Sequence, residues 1–189
     1  MSEDVASLLN KPGAVGIIPT DTVYGIVARA QDPEAVSRLY ELKNRENKPG
    51  TLLAANIEQL QKLGLKHRYL KAVEQYWPGP ISVVIPCADP ALNYLHQGKM
   101  SLAVRIPDDP LFQKVLKQTG PLVSTSANQP GQKISNTINE AKSVFGDKVE
   151  FYVDGGDLTD REPSTIIRIV DDAVEVLRQG AVKISDDTI

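Results

Sequence analysis

The order of apolar and polar positions predicts strands and helices that alternate along the chain. Compact apolar runs typical of buried strands lie at residues 14–18, 51–55, 81–85, 101–106 and 122–123, and shorter runs lie at 150–153, 165–170 and 173–177. Helices are expected between them, because four capping signals precede amphipathic stretches: Asp32 before Pro33, Asn56 with Gln59, Asp109 before Pro110, and Thr137 with Glu140. The alternation predicts an α/β fold with a mixed sheet flanked by helices, as one domain over residues 1–189.

Two further helices are predicted over residues 3–9 and 68–76, and residues 89–99 are predicted to be a polar connection. The segment after 122–123 is predicted to leave the strand and enter a polar turn that ends at Pro130-Gly131.

Composition narrows the class of protein. The chain has 41% hydrophobic and 24% charged residues, which is ordinary for a globular protein. Its acidic amino terminus does not resemble a signal peptide, and no apolar run is long enough to span a bilayer. One cysteine, Cys87, and two histidines make a disulfide impossible within the chain and a Cys/His metal site improbable. We therefore expect a cytoplasmic protein with no membrane contact and no metal site of its own.

Charge is unevenly distributed although the formal net charge is only −3. Between Arg38 and Lys71 the sequence has eight Lys or Arg residues and three acidic residues, which predicts a surface that binds an anion. Within this stretch Lys43, Arg45 and Lys48 form a basic loop closed by Pro49-Gly50. Lys62, Lys66 and Lys71 are interpreted as a solvated helical face.

Three strand ends carry polar groups that could contact a ligand. Thr20 to Thr22 follow the first strand, Ser124 to Asn128 follow residues 122–123, and Arg178 follows the last strand. In α/β proteins ligands bind outside the carboxyl ends of strands, and uncharged donors there suit a polar anion. The alternative is a Ser/Thr-rich turn that bonds only to its own backbone.

The combination of cations, hydroxyls and amides is what a nucleoside triphosphate needs. Neither a phosphate-loop motif nor a dinucleotide fingerprint occurs, so a nucleotide site would be built differently. No nucleophile–base pair stands out, which disfavours an acyl-enzyme. This leaves a reaction in which the substrates attack each other while the protein positions them and stabilises charge on phosphorus.

These residues together resemble the YrdC-like family of threonylcarbamoyl-AMP synthases. The matching segments occur in family order at residues 19–25, 43–45, 48–49, 77–80, 102–107, 124–128, 163–165 and 178–180. The resemblance implies a twisted mixed sheet flanked by helices with a concave, basic face, in the short single-domain form of the family. Glu46 and Gly50 depart from the family pattern, which usually has proline and an apolar residue at these places.

The resemblance also implies an activity. The enzyme would join L-threonine, bicarbonate or CO2, and ATP, and would release pyrophosphate and L-threonylcarbamoyladenylate. ATP would be a substrate accompanied by Mg²⁺. Separate tRNA-threonylcarbamoyl transferase proteins would then modify adenosine 37 of tRNAs that read ANN codons, with at most weak tRNA contact by this chain.

The site residues implied by the resemblance fall into three groups. Thr22 and Ser124 would contact threonine, and Lys43 and Arg45 would be catalytic through charge stabilisation. The nucleotide would be bound by the largest group, which comprises Lys43, Arg45, Lys48, Ser101, Arg105, Ser126, Asn128, Ser135 and Arg178. Arg45 could donate hydrogen bonds to two phosphate oxygens at once, whereas a lysine acts as a point charge.

Two alternatives remain open. A non-catalytic RNA-binding module would fit the basic stretch, but three phenylalanines and an isoelectric point near 5.4 disfavour a stacking platform and strong phosphate binding. A carbamoyl-transfer step in hydrogenase maturation would need fused zinc-binding and acylphosphatase segments, which one cysteine and this length disfavour.

Overall fold

A nine-stranded mixed sheet organises the chain in the computed structural model, which describes residues 2–44, 48–171 and 173–184. The strands are β1 (Val15–Pro19), β2 (Tyr24–Arg29), β3 (Thr51–Leu53), β4 (Ile81–Pro86), β5 (Ser101–Arg105), β6 (Leu122–Ser126), β7 (Phe151–Tyr152), β8 (Thr165–Val170) and β9 (Ala173–Arg178). Their spatial order is β7-β1-β2-β6-β3-β5-β4-β8-β9. The pairs β1–β7, β3–β5 and β4–β8 are parallel and the other five are antiparallel, which confirms the predicted mixed sheet.

Seven α-helices flank this sheet within the described residues: α1 (Ser2–Leu9), α2 (Pro33–Leu42), α3 (Ile57–Leu63), α4 (His67–Ala72), α5 (Asn93–His96), α6 (Pro110–Thr119) and α7 (Ile138–Phe145). All four predicted caps form, because the side chains of Asp32, Asn56, Asp109 and Thr137 each accept a hydrogen bond from a backbone N–H three residues later. These bonds satisfy first-turn donors that have no partner within the helix.

The prediction for residues 89–99 was wrong. Asp89 caps a short 3-10 helix over Pro90–Leu92, and α5 follows directly. Leu92, Leu95 and His96 are buried, so the segment packs on the core despite its polar composition. Two apolar side chains on one short turn were enough to anchor it, which is too few to produce a visible period.

The strand predicted at residues 122–123 is longer than expected. β6 continues to Ser126, and its hydroxyl residues pair with both neighbours: Ser126 lies opposite Gly25 of β2 and Ser124 opposite Thr51 of β3. Ladder hydrogen bonds on both sides satisfy the backbone and keep these polar residues in a central strand. Ser124 and Ser126 therefore lie on the sheet itself and not in a turn.

Two hydrophobic clusters lie on opposite faces of the sheet, because neighbouring residues of a strand alternate between them. Ile17, Ile26 and Leu52 belong to the larger cluster, which packs under α2, α5 and α7. Their neighbours Ile18, Val27 and Leu53 belong to the smaller cluster with α1 and α6. None of the helices within the described residues is long and apolar enough to cross a membrane. The single-domain prediction for residues 1–189 stays a prediction.

Candidate functional site

A small polar cavity of ≈120 Å³, called here the inner cavity, lies on the sheet face that carries α1 and α6. Five predicted site residues line it: Thr22, Arg105, Ser124, Ser126 and Arg178. Its lining includes residues from three adjacent strands, namely 51 and 53 of β3, 103 and 105 of β5, and 124–126 of β6. The site lies on one face of the sheet, and Arg105, Ser126 and Arg178 are the last residues of β5, β6 and β9.

A second, wider cavity of ≈1310 Å³, called the outer cavity, shares Ser126 with the first. Three more predicted residues line it: Lys43, Lys48 and Asn128. Its wall also includes Gly131, after the turn that follows β6. Eight predicted site residues thus line two adjoining cavities that meet at one serine.

Two threonines fix the hydrogen-bonding character of one wall of the inner cavity. The Thr20 hydroxyl donates to the carbonyl oxygen of Val23 at 2.7 Å, which uses its only proton. Thr20 Oγ1 and Thr22 Oγ1 are 3.1 Å apart, so Thr22 must be the donor in the hydrogen bond between them. The Thr22 oxygen is left with lone pairs alone, so it can accept a hydrogen bond from a ligand but has no free proton to give.

Two glycines make room for Ser124. A Cβ atom built at Gly25 would lie 2.8 Å from Ser124 Oγ, and one built at Gly50 would lie 2.9 Å from the Ser124 carbonyl oxygen and 2.8 Å from Val123 Cγ1. Real Cβ atoms do not approach so closely, so β2 and the entry to β3 can flank Ser124 only because both residues are glycine. This also explains Gly50, where the family pattern has a larger residue.

The inner cavity contains a buried ion pair. Arg105, only 4% exposed, donates through Nη1 to both carboxylate oxygens of Asp21 at 2.5 Å. Burial raises the pKa of Asp21 although the guanidinium opposes that rise, and burial lowers the pKa of Arg105. Sequence reasoning assigned no role to Asp21; its place between two threonines in a polar segment was the available signal.

Arg178 is held at the opposite wall. As the last residue of β9, it donates from Nη2 to the Ser164 carbonyl oxygen at 2.7 Å and to Ser164 Oγ at 3.2 Å. Ser164 Oγ is in turn 3.0 Å from Ser82 Oγ of β4, and both serines are buried. The two hydroxyls therefore form a fixed support beneath the guanidinium.

Lys43 is buried at the end of α2 and is 3% exposed. Its ammonium donates to the Ser126 carbonyl oxygen at 2.7 Å, to the Asn128 carbonyl oxygen, and to Asn128 Oδ1 at 3.0 Å. Asn128 Oδ1 also accepts from Ser126 Oγ at 2.7 Å. Lys43 thus holds the turn after β6 in place and brings positive charge to the junction of the cavities.

Two predicted residues, Ser101 and Ser135, line neither cavity. Ser101 lies at the other end of β5 from Arg105, opposite Pro86. Ser135 is buried, and its backbone N–H donates to the Ala127 carbonyl oxygen at 3.0 Å. Its hydroxyl has no hydrogen-bond partner within the described residues. Arg45 lies outside the described residues, so its predicted role stays a prediction. The roles predicted for the other site residues also stay predictions.

The lining groups of both cavities suit anions better than a metal ion. Cations, hydroxyls and amides are their main polar groups, and Glu41 is the acidic residue that the outer cavity's lining includes. Among residues 2–44, 48–171 and 173–184, no cluster of three or more His, Cys, Asp or Glu side chains could hold a metal.

Known proteins with similar sequences share one family. The profile of the family Sua5_yciO_yrdC, described as "Telomere recombination", matches residues 9–180. The threonylcarbamoyl-AMP synthase of Photobacterium profundum is 36% identical over 186 residues, which cover 94% of this chain and 98% of that protein.

Solved structures show the same fold. The Pyrococcus abyssi Sua5 structure complexed with L-threonine matches with a TM-score of 0.82 and 28% identity over 95% of this chain. The chain spans only 54% of that longer protein. Escherichia coli YciO matches with a TM-score of 0.80 and 21% identity, covering 96% of this chain and 90% of that one, which supports the fold alone. The chain belongs to the Sua5/YciO/YrdC family.

Proposed function

We infer that the chain is a threonylcarbamoyl-AMP synthase, a nucleotidyltransferase of the tRNA threonylcarbamoyladenosine pathway. Relatives with this activity in their names match nearly the full length of both chains, as the 36% identical Photobacterium profundum protein does. The reaction joins L-threonine, bicarbonate and ATP to give threonylcarbamoyl-AMP and pyrophosphate.

One observation supports a division of the substrates between the cavities. The inner cavity is about a tenth the size of the outer one and lies below the usual range of about 300–1,000 Å³ for drug-sized ligands, which suits an amino acid. The outer cavity is wide enough for a nucleotide and contains Lys43 and Lys48. We propose that threonine occupies the inner cavity, that ATP occupies the outer cavity, and that the reacting atoms meet beside Ser126.

The chemistry needs no nucleophile from the protein. The threonine amine attacks bicarbonate and forms a carbamate with loss of water. A carbamate oxygen then attacks the α-phosphorus of ATP, and the bond to pyrophosphate breaks. The protein contributes position and charge: the fixed threonine and serine hydroxyls orient the amino acid, while lysine ammonium groups stabilise charge on the phosphates.

The roles of individual residues follow from this division. Thr22 and Ser124 contact threonine, and Ser126, Asn128, Lys43 and Lys48 contact the nucleotide. Arg178, also predicted to contact the nucleotide, lines only the inner cavity. Arg105, predicted to contact the nucleotide, lines only the inner cavity, where a guanidinium suits the threonine carboxylate.

Mg²⁺ is expected to arrive bound to the phosphates of ATP, since the outer cavity offers donors that suit phosphate oxygens. The product passes to separate tRNA-threonylcarbamoyl transferase proteins in the cytoplasm. Contact of this chain with tRNA is expected to be weak.

Pyrophosphate release tests the assignment. The purified protein should release pyrophosphate from ATP only when threonine and bicarbonate are both present, and mass spectrometry should detect threonylcarbamoyl-AMP. Serine in place of threonine is the matched substrate control. Tight binding of tRNA without pyrophosphate release under any of these conditions would instead support the RNA-binding module.

A further inference from the structure

The Asp21–Arg105 pair joins two distant parts of the chain at the wall of the inner cavity. Arg105 comes from β5, and Asp21 comes from the short connection between β1 and β2, 84 residues earlier. The side chains of both are more than nine-tenths buried, with 8% of Asp21 and 5% of Arg105 exposed. A guanidinium buried to this degree needs a compensating negative charge, and Asp21 supplies it.

The geometry of the pair leaves part of the guanidinium available. Both carboxylate oxygens of Asp21 accept from Nη1, at 2.5 Å each. Nε is buried and has no hydrogen-bond partner within the described residues. Arg105 nevertheless lines the inner cavity beside Thr22 and Ser124. Buried N–H donors are nearly always paired in folded proteins, so an unpaired donor on a residue that lines a cavity is an exception that needs an explanation.

We propose that Asp21 is a positioning residue for the synthase reaction. Its carboxylate holds Nη1 in place, so that Arg105, which lines the inner cavity, keeps one orientation in which it can pair with an acceptor oxygen of the amino-acid substrate. It also compensates the charge of Arg105, which allows a guanidinium to be buried beside the inner cavity. This role rests on the proposed function, and it assigns to Asp21 an effect on threonine rather than on ATP.

The first test is threonine and ATP binding measured separately by calorimetry on the full chain. Asp21→Asn keeps the size of the side chain and one acceptor oxygen. It removes the charge and the second hydrogen bond from Arg105 Nη1. We expect it to weaken threonine binding about 10- to 100-fold and to change ATP binding less than about 2-fold. Unchanged threonine binding, or equal losses for both ligands, would overturn the proposal.

A double-mutant cycle separates positioning from general damage. If Asp21 acts through Arg105, Asp21→Asn in an Arg105→Lys background should change threonine binding less than about 2-fold beyond Arg105→Lys alone. Full additivity would contradict the proposal. Glu150→Gln is the matched control, because it breaks the partly exposed Arg38–Glu150 pair, whose residues line neither cavity. That variant should bind threonine as the unmodified chain does.

Urea unfolding checks that each variant is folded. If Asp21→Asn does not fold, Asp21→Glu replaces it: the charge is kept, but the longer side chain displaces the guanidinium, and threonine binding should still fall at least about 5-fold. Native threonine binding by Asp21→Glu would contradict positioning. Because calorimetry needs no turnover, a chain that binds threonine but releases no pyrophosphate would refute the synthase assignment while leaving the Asp21 test readable.

Discussion

The inner and outer cavities differ in how their polar groups are held. In the inner cavity, Thr22, Arg105 and Arg178 are each fixed by another protein group that is buried or lies on a strand. The outer cavity also has one firmly held cation, Lys43, but its other cation, Lys48, is exposed and lies in an irregular segment.

The difference suggests a division of labour between the two cavities. Groups fixed before the ligand arrives lose little conformational freedom on binding, and they discriminate sharply between similar small molecules. An exposed lysine such as Lys48 acts as a point charge that attracts any polyphosphate, so it discriminates less. Specificity for threonine should therefore depend on the inner cavity, and ATP affinity on the outer one.

Replacing Lys43 should have the largest effect on the outer cavity. Lys43→Ala removes a buried ammonium that holds the turn at Ser126 and Asn128, so we expect ATP use to fall about 10- to 1000-fold. The oxygens it leaves unpaired should also cost about 1–3 kcal/mol of folding free energy. Steady-state pyrophosphate release and urea unfolding measure the two effects. Equal losses in threonine and ATP binding would erase the distinction between the cavities.

Replacing Gly25 should damage the inner cavity alone. The added Cβ of Gly25→Ala would meet Ser124 Oγ at 2.8 Å and Thr20 Cγ2 at 3.3 Å, so the Ser124 hydroxyl must shift. Overpacking of about 1–3 kcal/mol, where it falls on the threonine complex, corresponds to a rise of about 5- to 150-fold in the KM for threonine. Gly131→Ala is the matched control, since a Cβ there meets nothing within 4 Å, although its positive φ adds some strain. A rise in the KM for ATP alone would contradict this prediction.

The capping residues and the clustering of hydroxyls and cations could be predicted from sequence because both depend on local patterns. Asp32 and Asn56 cap the helices expected of them. Thr22, Ser124 and Ser126 share a cavity as the resemblance implied. The length of β6 could not be predicted, because its polar residues stay in the strand only through pairing with β2 and β3.

Partners far apart in sequence were also beyond prediction. Arg105 was a candidate from its motif, but nothing local indicates that Asp21, 84 residues earlier, would bind it. Lys43 was a candidate from the basic loop, but nothing local indicates that its ammonium would bind carbonyl oxygens more than 80 residues later in the chain. Such contacts are set by how strands are ordered in the sheet, and that order is a property of the whole fold.

Thr22 offers a narrower test of hydrogen bonding in the inner cavity. Because its proton is directed at Thr20, its oxygen can only accept from a ligand. Thr22→Val keeps the shape and removes the acceptor, so threonine binding should weaken roughly 5- to 50-fold while ATP binding is nearly unchanged. Thr22→Ser restores the hydroxyl and should recover most of the affinity. Equal losses for both ligands would indicate a purely structural role for Thr22.

The smallest predicted effect is that of Lys48→Ala. It tests whether a cation of the outer cavity matters more for ATP than other cations of the basic stretch. Lys48 lines that cavity, whereas Lys62 pairs with Glu58 on an exposed face of α3, where such pairs contribute about 0–1 kcal/mol. Lys48→Ala should raise the KM for ATP about 3- to 10-fold, and Lys62→Ala should leave it within about 2-fold. If the two variants raised the KM equally, long-range attraction by the whole basic stretch would explain ATP binding, and the outer cavity would lose its special role. The comparison should be made at about 0.15 M salt, where charges more than ~8 Å apart are largely screened.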